Sequence, residues 1–176
     1  MARQSMYIHG NSVVMEFPGG KGDPVGSPHT PTHQMNGVFD AEGHIEWSDV
    51  VGLRRPGGVT FRGRAGQNNR FYACVPTPSW RDNVRATLAR VAVKFKADPG
   101  VNIIGMLVTD GADVVPFPFP PLVLGADHSR SWDVNVNFFD TDHPPAILSG
   151  VAVVFDVSFA TEGDITFCCV GCDFIV

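Results

Sequence analysis

Val151, Val153, Phe155, Val157 and Phe159 fall on every second position of one run, the period that places side chains on a single face of a β-strand. Thr161-Glu162-Gly163-Asp164 breaks the run with turn residues, and Ile165 to Val176 resumes it with almost no charge. The stretch from Ile147 to Val176 therefore predicts a β-hairpin buried on one or both faces, with shorter upstream strands gathered on it.

A chain of 176 residues fits one domain spanning 1–176. At that size roughly 70% of the unfolded surface can be buried without a disulfide or metal staple. Fourteen prolines, nineteen glycines and thirteen phenylalanines favour many short strands and tight turns over helices. Met6 to Glu16 reads as a strand or pair of strands interrupted at His9-Gly10-Asn11, where glycine and asparagine tolerate a bend. From 19 to 46 the composition turns to Gly, Pro, His, Thr and Asp without hydrophobic period, which predicts an insertion or long loop. Within it, a short hairpin is expected around Gly37-Val38-Phe39 and His44-Ile45-Glu46, turned by Asp40 to Gly43.

Further strands are predicted at Trp47–Leu53, Val59–Phe61, Arg70–Val75 and Leu88–Lys96, the last with Val91, Val93 and Phe95 inward and Arg90, Lys94 and Lys96 outward. Val101 to Thr109 is apolar on both faces, which predicts a central position in its sheet. Val114 to Pro121 alternates phenylalanine with proline and belongs on an edge, with Phe117 and Phe119 laid on the body. Trp132, Val134, Val136 and Phe138 alternate with Asp133, Asn135 and Asn137, as in a strand with one wet face. The sum is eight to ten strands in an all-β antiparallel β-sandwich of jelly-roll or immunoglobulin-like type.

No apolar run of signal-peptide length opens the sequence, and none approaches the ~18 residues of a membrane span. A soluble, cytoplasmic protein without a membrane partner is expected. The cysteines are Cys74, Cys168, Cys169 and Cys172. Neighbours in a regular strand point to opposite faces, so Cys168 and Cys169 predict no disulfide framework, and reduced thiols fit the cytosol.

Ten basic residues and the single acid Asp82 lie between Arg54 and Lys96, whereas the rest of the chain holds three basic residues and seventeen acids. Such segregation suits an anionic small molecule or another copy of the chain. Cross-strand pairing that neutralises the two blocks is the simpler reading.

His9-Gly10-Asn11 through Val13 and Glu16, Val51-Gly52-Leu53-Arg54-Arg55, Pro76-Thr77-Pro78 and Gly171-Cys172-Asp173-Phe174 together resemble an uncharacterised bacterial family of small all-β proteins that opens with a His-Gly-Asn motif. The region 19–46 and the cysteines at Cys168 and Cys169 depart from that pattern. The resemblance implies a β fold and carries no activity with it.

No nucleophile elbow, His-Glu-x-x-His helix or phosphate loop is present, and no enzyme is predicted. His29, His33 and His44 are the candidate metal ligands, suited to zinc, but Pro31 removes the usual helical spacing and a solvated loop is the simpler reading. Asp140-Thr141-Asp142 and Asp127-His128 are candidates for calcium, weighed against turn carboxylates that serve their own backbone. No resident cofactor is expected. Arg54, Arg55, Arg62 and Arg64, among glycines, form the strongest local charge feature and suit sulfate, phosphate or carboxylate. The acidic balance and sparse aromatics disfavour nucleic acid.

The leading expectation is a non-catalytic binding module with lectin-like recognition of a carbohydrate or other polar ligand. Trp47, Trp80 and Trp132 are its candidate stacking platforms, and Asp133, Asn135 and Asn137 its hydrogen-bonding row. The alternatives are a self-assembling structural protein, a homo-oligomer joined through charge-segregated surfaces, and a metal-dependent enzyme built on the histidine-rich insertion.

Overall fold

The computed structural model describes residues 3–15, 38–39, 45–46, 50–63, 65–78, 80–81, 84–119, 124–125 and 138–176. In chain order the strands are β1 (Arg3–His9), β2 (Val14–Met15), β3 (Val38–Phe39), β4 (Ile45–Glu46), β5 (Val50–Arg55), β6 (Gly58–Gly63), β7 (Gln67–Val75) and β8 (Trp80–Arg81). They continue with β9 (Val84–Arg85), β10 (Thr87–Ala97), β11 (Val101–Asp110), β12 (Asp113–Val115), β13 (Phe138–Asp140), β14 (Val151–Phe159) and β15 (Gly163–Ile175). Eight of these have six residues or more, and all the pairings are antiparallel. The expected antiparallel β-sandwich is the fold.

The first sheet runs β13-β10-β15-β6-β5, with β1 also paired to β15, and the second runs β12-β11-β14-β7-β2. The closely connected pairs β1/β2, β6/β7, β10/β11 and β14/β15 each put one strand in either sheet. Each such connection is an arch from one layer to the other. The order β10, β15, β6 in one sheet is matched by β11, β14, β7 in the other, so the arches stack side by side. Their turns are stitched together: Gly66 N–H donates to Phe159 O at 2.6 Å, Ala160 N–H to Gly100 O at 2.9 Å and Asp164 N–H to an Asp98 carboxylate oxygen at 2.9 Å. Gly100 at φ 84° supplies the left-handed residue that closes the β10–β11 arch.

The hairpin expected over Ile147–Val176 is therefore an arch. The alternation and the break at 161–164 are where they were expected, but β14 pairs with β11 and β7 while β15 pairs with β10, β6 and β1. A long strand buried in the middle of each sheet gains partners on two sides, which a two-stranded hairpin cannot offer.

Between the layers, Phe61, Phe71, Phe155 and Phe167 meet with ring centroids 4.7 Å (Phe61–Phe71), 5.4 Å (Phe71–Phe167) and 5.1 Å (Phe155–Phe167) apart. Val91, Val93, Phe95, Val153, Val157, Ile165, Val170 and Phe174 fill the surrounding core. The Phe-Pro segment follows the edge strand β12, with Phe117 buried and Phe119 packed on Phe139 at 5.4 Å.

Several expectations change. β11 is one-sided rather than apolar throughout: a bulge between Ile103 and Gly105 leaves Ile104 43% exposed. β13 turns Phe139 to the core opposite Val91 and leaves Phe138 on the outer face beside Asp140, the reverse of the side expected for Phe138. β15 carries an extra residue at Cys168, because Lys94 pairs with Cys169 and Phe95 with Phe167. The predicted hairpin within 19–46 is present as β3 with β4; the rest of that insertion lies outside the described residues.

Candidate functional site

The outer face of the first sheet collects an unusual share of the chain's polar chemistry, and strand register explains why. Ser5, Asp173, Arg90 and Asp140 lie in one row across β1, β15, β10 and β13. Tyr7, Gly171, Ala92 and Phe138 form the next row, and His9, Cys169 and Lys94 a third.

In the first row Arg90 forks onto Asp140, with Nε 2.7 Å from Oδ1 and Nη2 3.0 Å from Oδ2. Its Nη1 also lies 3.8 Å from Asp173 Oδ2, and Arg3 approaches the same oxygen through Nε at 3.4 Å. The hydrogen-bonded Arg90 fork holds the Asp140 carboxyl below the usual carboxylate range against the opposing pull of burial, with Arg3 adding a smaller share. Asp173 is different. Its side chain is 6% exposed, and Oδ1 is buried with no hydrogen-bond partner among the described residues. An unsatisfied buried carboxylate oxygen costs on the order of 1–3 kcal/mol.

In the second row the Tyr7 ring lies directly across Gly171, where a Cβ would collide with the ring carbons. Tyr7 remains 42% exposed. Burial of part of the ring, and then the negative charge of Asp173, push its phenol above the ordinary tyrosine value. At the far end of the row, the Arg90 guanidinium carbon stands 5.2 Å from the centre of the Phe138 ring, within cation–π range. In the third row His9 Nε2 is 2.8 Å from Pro56 O. A carbonyl only accepts, so Nε2 carries the proton.

This surface places an exposed aromatic face beside guanidinium and carboxylate forks. Apolar ring faces and paired hydrogen-bond groups are what a sugar or similar polar ring requires.

Of the ligand-binding candidates singled out from sequence, Arg62 is the one whose side chain is described. It forks onto Asp164 with Nε 2.8 Å from Oδ1 and Nη2 3.2 Å from Oδ2, its register partner in β15. Arg70 does the same with Asp156, at 2.7 and 3.2 Å, again its direct cross-strand partner. With Arg90 and Asp140, three arginines of the basic block meet C-terminal acids in register, so cross-strand neutralisation holds at these positions. Arg54 and Arg55 lie on β5, opposite Val59 and Gly58, and Trp80 lies on β8. The side chains of those three fall outside the described residues, as do Trp47, Arg64, Trp132, Asp133, Asn135, Asn137, His29, His33 and His44.

Among the described residues no group of three or more His, Cys, Asp or Glu side chains could hold a metal ion. Asp140, a calcium candidate by sequence, accepts one Arg90 hydrogen bond on each carboxylate oxygen and stays 53% exposed. No described helix is long and apolar enough to cross a membrane.

Sequence reasoning passed over Arg3, Tyr7 and Asp173 as site residues, placed Arg90 only as an outward residue of its strand, and weighed Asp140 only for calcium. The available signal was Asp173 itself, a carboxylate inside an apolar strand two positions after a glycine. No family model, curated protein or solved structure matches the chain.

Proposed function

We propose that the protein is a non-catalytic β-sandwich binding module that recognises a carbohydrate or similar polar ligand on the outer face of the first sheet. The observation that carries this reading is the Tyr7 ring, packed across Gly171 and 42% exposed beside the Arg3–Asp173–Arg90–Asp140 row. Tyr7 supplies the stacking face, and Asp140 and Arg3 supply hydrogen bonds at its rim. Reduced cysteines and a cytoplasmic setting accompany the proposal.

A broad glycan screen of the purified protein, followed by titration calorimetry on the best hit, tests it. Tyr7→Ala weakens binding about tenfold or more, the effect of losing one good aromatic contact. Gly171→Ala weakens it too, by lifting the ring. Equal binding by the native protein and Tyr7→Ala, or no retained glycan at all, overturns the reading.

A second reading, self-association into a homo-oligomer, is favoured by the opposite face. Register aligns Val14, Tyr72 and Leu107 around the buried Val154 on the second sheet; Val14 is 48% exposed and Val114 on the edge strand β12 67%. Three of the basic residues are already neutralised within the chain, so assembly on this face is apolar and insensitive to salt. Sedimentation equilibrium at two ionic strengths distinguishes it: a monomer at every concentration removes this reading.

A further inference from the structure

β15 carries the sequence Phe167-Cys168-Cys169-Val170, and in a regular strand its two cysteines would stand on opposite faces of the sheet. The register removes that constraint. Phe167 is paired with Phe95 and Val170 with Val93, and all four face the core. Two residues rather than one therefore lie between two inward positions, with Lys94 opposite the pair. This is a β-bulge, and it puts Cys168 and Cys169 together on the outer side. Both are half-buried, not sealed in. Cys168 Sγ lies 3.9 Å from the carbonyl of Thr166 and Cys169 Sγ 4.0 Å from that of Val170. Burial raises the Cys169 thiol, with the neighbouring Cys168 next in effect and Lys94 opposing both. Cys172 faces the core and its thiol is pushed far up by burial. Cys74 is exposed on the other sheet, without a cysteine on its register partner Ala152.

We propose that Cys168 and Cys169 form a vicinal dithiol that is oxidised reversibly to a disulfide by a peroxide. One thiolate attacks a peroxide oxygen, giving a sulfenic acid and hydroxide. The neighbouring thiol then attacks the sulfenic sulfur, and the S–S bond forms as water leaves. The two thiols lose two electrons and the peroxide is reduced by two. Adjacent Cα atoms are about 3.8 Å apart, below the roughly 4.4–6.8 Å usual for a disulfide, so the bond is strained and easily reduced again. Strained, accessible disulfides are the labile ones.

The site borders the Tyr7 platform, since Cys169 is two residues from Gly171 and is paired with His9. The dithiol does not depend on what that platform binds, and its test reads sulfur alone.

The native protein is treated with hydrogen peroxide, quenched with an alkylating agent under denaturing conditions and mapped by peptide mass spectrometry. The expected product is a Cys168–Cys169 peptide lighter by two hydrogens, with neither sulfur alkylated, restored by dithiothreitol. Phenylarsine oxide, which bridges close thiol pairs, protects both cysteines from alkylation in the untreated protein and leaves Cys74 reactive. Cys168→Ser and Cys169→Ser each abolish the mass loss while keeping a native β-sheet circular dichroism spectrum. Overoxidation of one cysteine with its neighbour still free overturns the proposal. So does alkylation of both cysteines after peroxide, or loss of the two hydrogens in either serine variant.

Discussion

Gly10 and Gly58 approach the same atom, the carbonyl oxygen of Phe167, from two different segments of the chain. Gly10 opens the short 3-10 turn after β1 and Gly58 begins β6, and the two segments meet where β15 changes its neighbour from β6 to β1. A Cβ on either glycine would sit well inside van der Waals contact distance of that oxygen, against backbone that cannot swing away. Gly58 also holds φ 139°, a conformation that side chains rarely adopt. Gly10→Ala and Gly58→Ala should each destabilise the protein by about 2–4 kcal/mol, more than an exposed glycine such as Gly57, which has open space around it. Urea denaturation of the three alanine variants ranks them.

Asp173 is expected to be retained for something other than stability. Its unpartnered oxygen costs on the order of 1–3 kcal/mol, whereas the ionic contacts are long, 3.4 Å to the half-exposed Arg3 and 3.8 Å to Arg90, whose guanidinium is committed to Asp140, and return little. Asp173→Asn keeps an unpartnered polar atom at the same buried position and gives up only the long ionic contacts, so it should stay within about 1 kcal/mol of the native stability. Matched chemical melts and ligand titrations of this variant separate the roles. A loss above about 3 kcal/mol would make Asp173 a structural ion after all.

Asp110 should govern acid sensitivity. Burial pulls its carboxyl upward, but the backbone N–H groups of Leu148, Gly150 and Ser149 outweigh burial and hold it below the usual range; Ser149 and Gly150 donate at 2.7 and 2.8 Å. A group whose pKa is lowered by folding stabilises fully above its unfolded value, about 3.9, and loses that contribution as pH falls through the folded value. Asp110→Asn should cost about 2 kcal/mol near neutrality, and the gap from the native protein should close below about pH 4. Urea midpoints across pH 2.5 to 7, roughly the span over which carboxylates titrate, test the sign. A gap that widens in acid would refute it.

The Arg70–Asp156 fork, with both side chains mostly buried at 2.7 Å, should show a coupling of about 1 kcal/mol in a double-mutant cycle with Ala. Single variants overstate the pair, since each leaves a half-buried charge behind. A coupling indistinguishable from zero in low salt would count the bridge as geometry only.

Much of the fold could be read from period alone. Val151 to Phe159 on every second position gave β14, and Val91, Val93 and Phe95 point inward in β10 as their spacing implied. What period cannot say is where the next strand goes. Thr161 to Asp164 has turn chemistry whether the chain doubles back within a sheet or crosses to the other, and the choice rests on Asp98 and Gly100, about sixty residues away in sequence. The bulge at Cys168 hides for a related reason: one extra residue in an apolar run leaves no local mark, although it reverses the side on which Cys168 stands. Likewise Tyr7, Arg90, Asp140 and Asp173 come from four strands scattered from one end of the sequence to the other, and only register places them together.

The position of β15 has a consequence for the order in which the chain can mature. β1, β6 and β10 all pair with it, yet it is made after every one of them. On a ribosome delivering roughly 5–20 residues each second, those earlier strands emerge with their hydrogen-bonding edges open and wait for residues 163–175. The first layer therefore cannot close until its spine has been made.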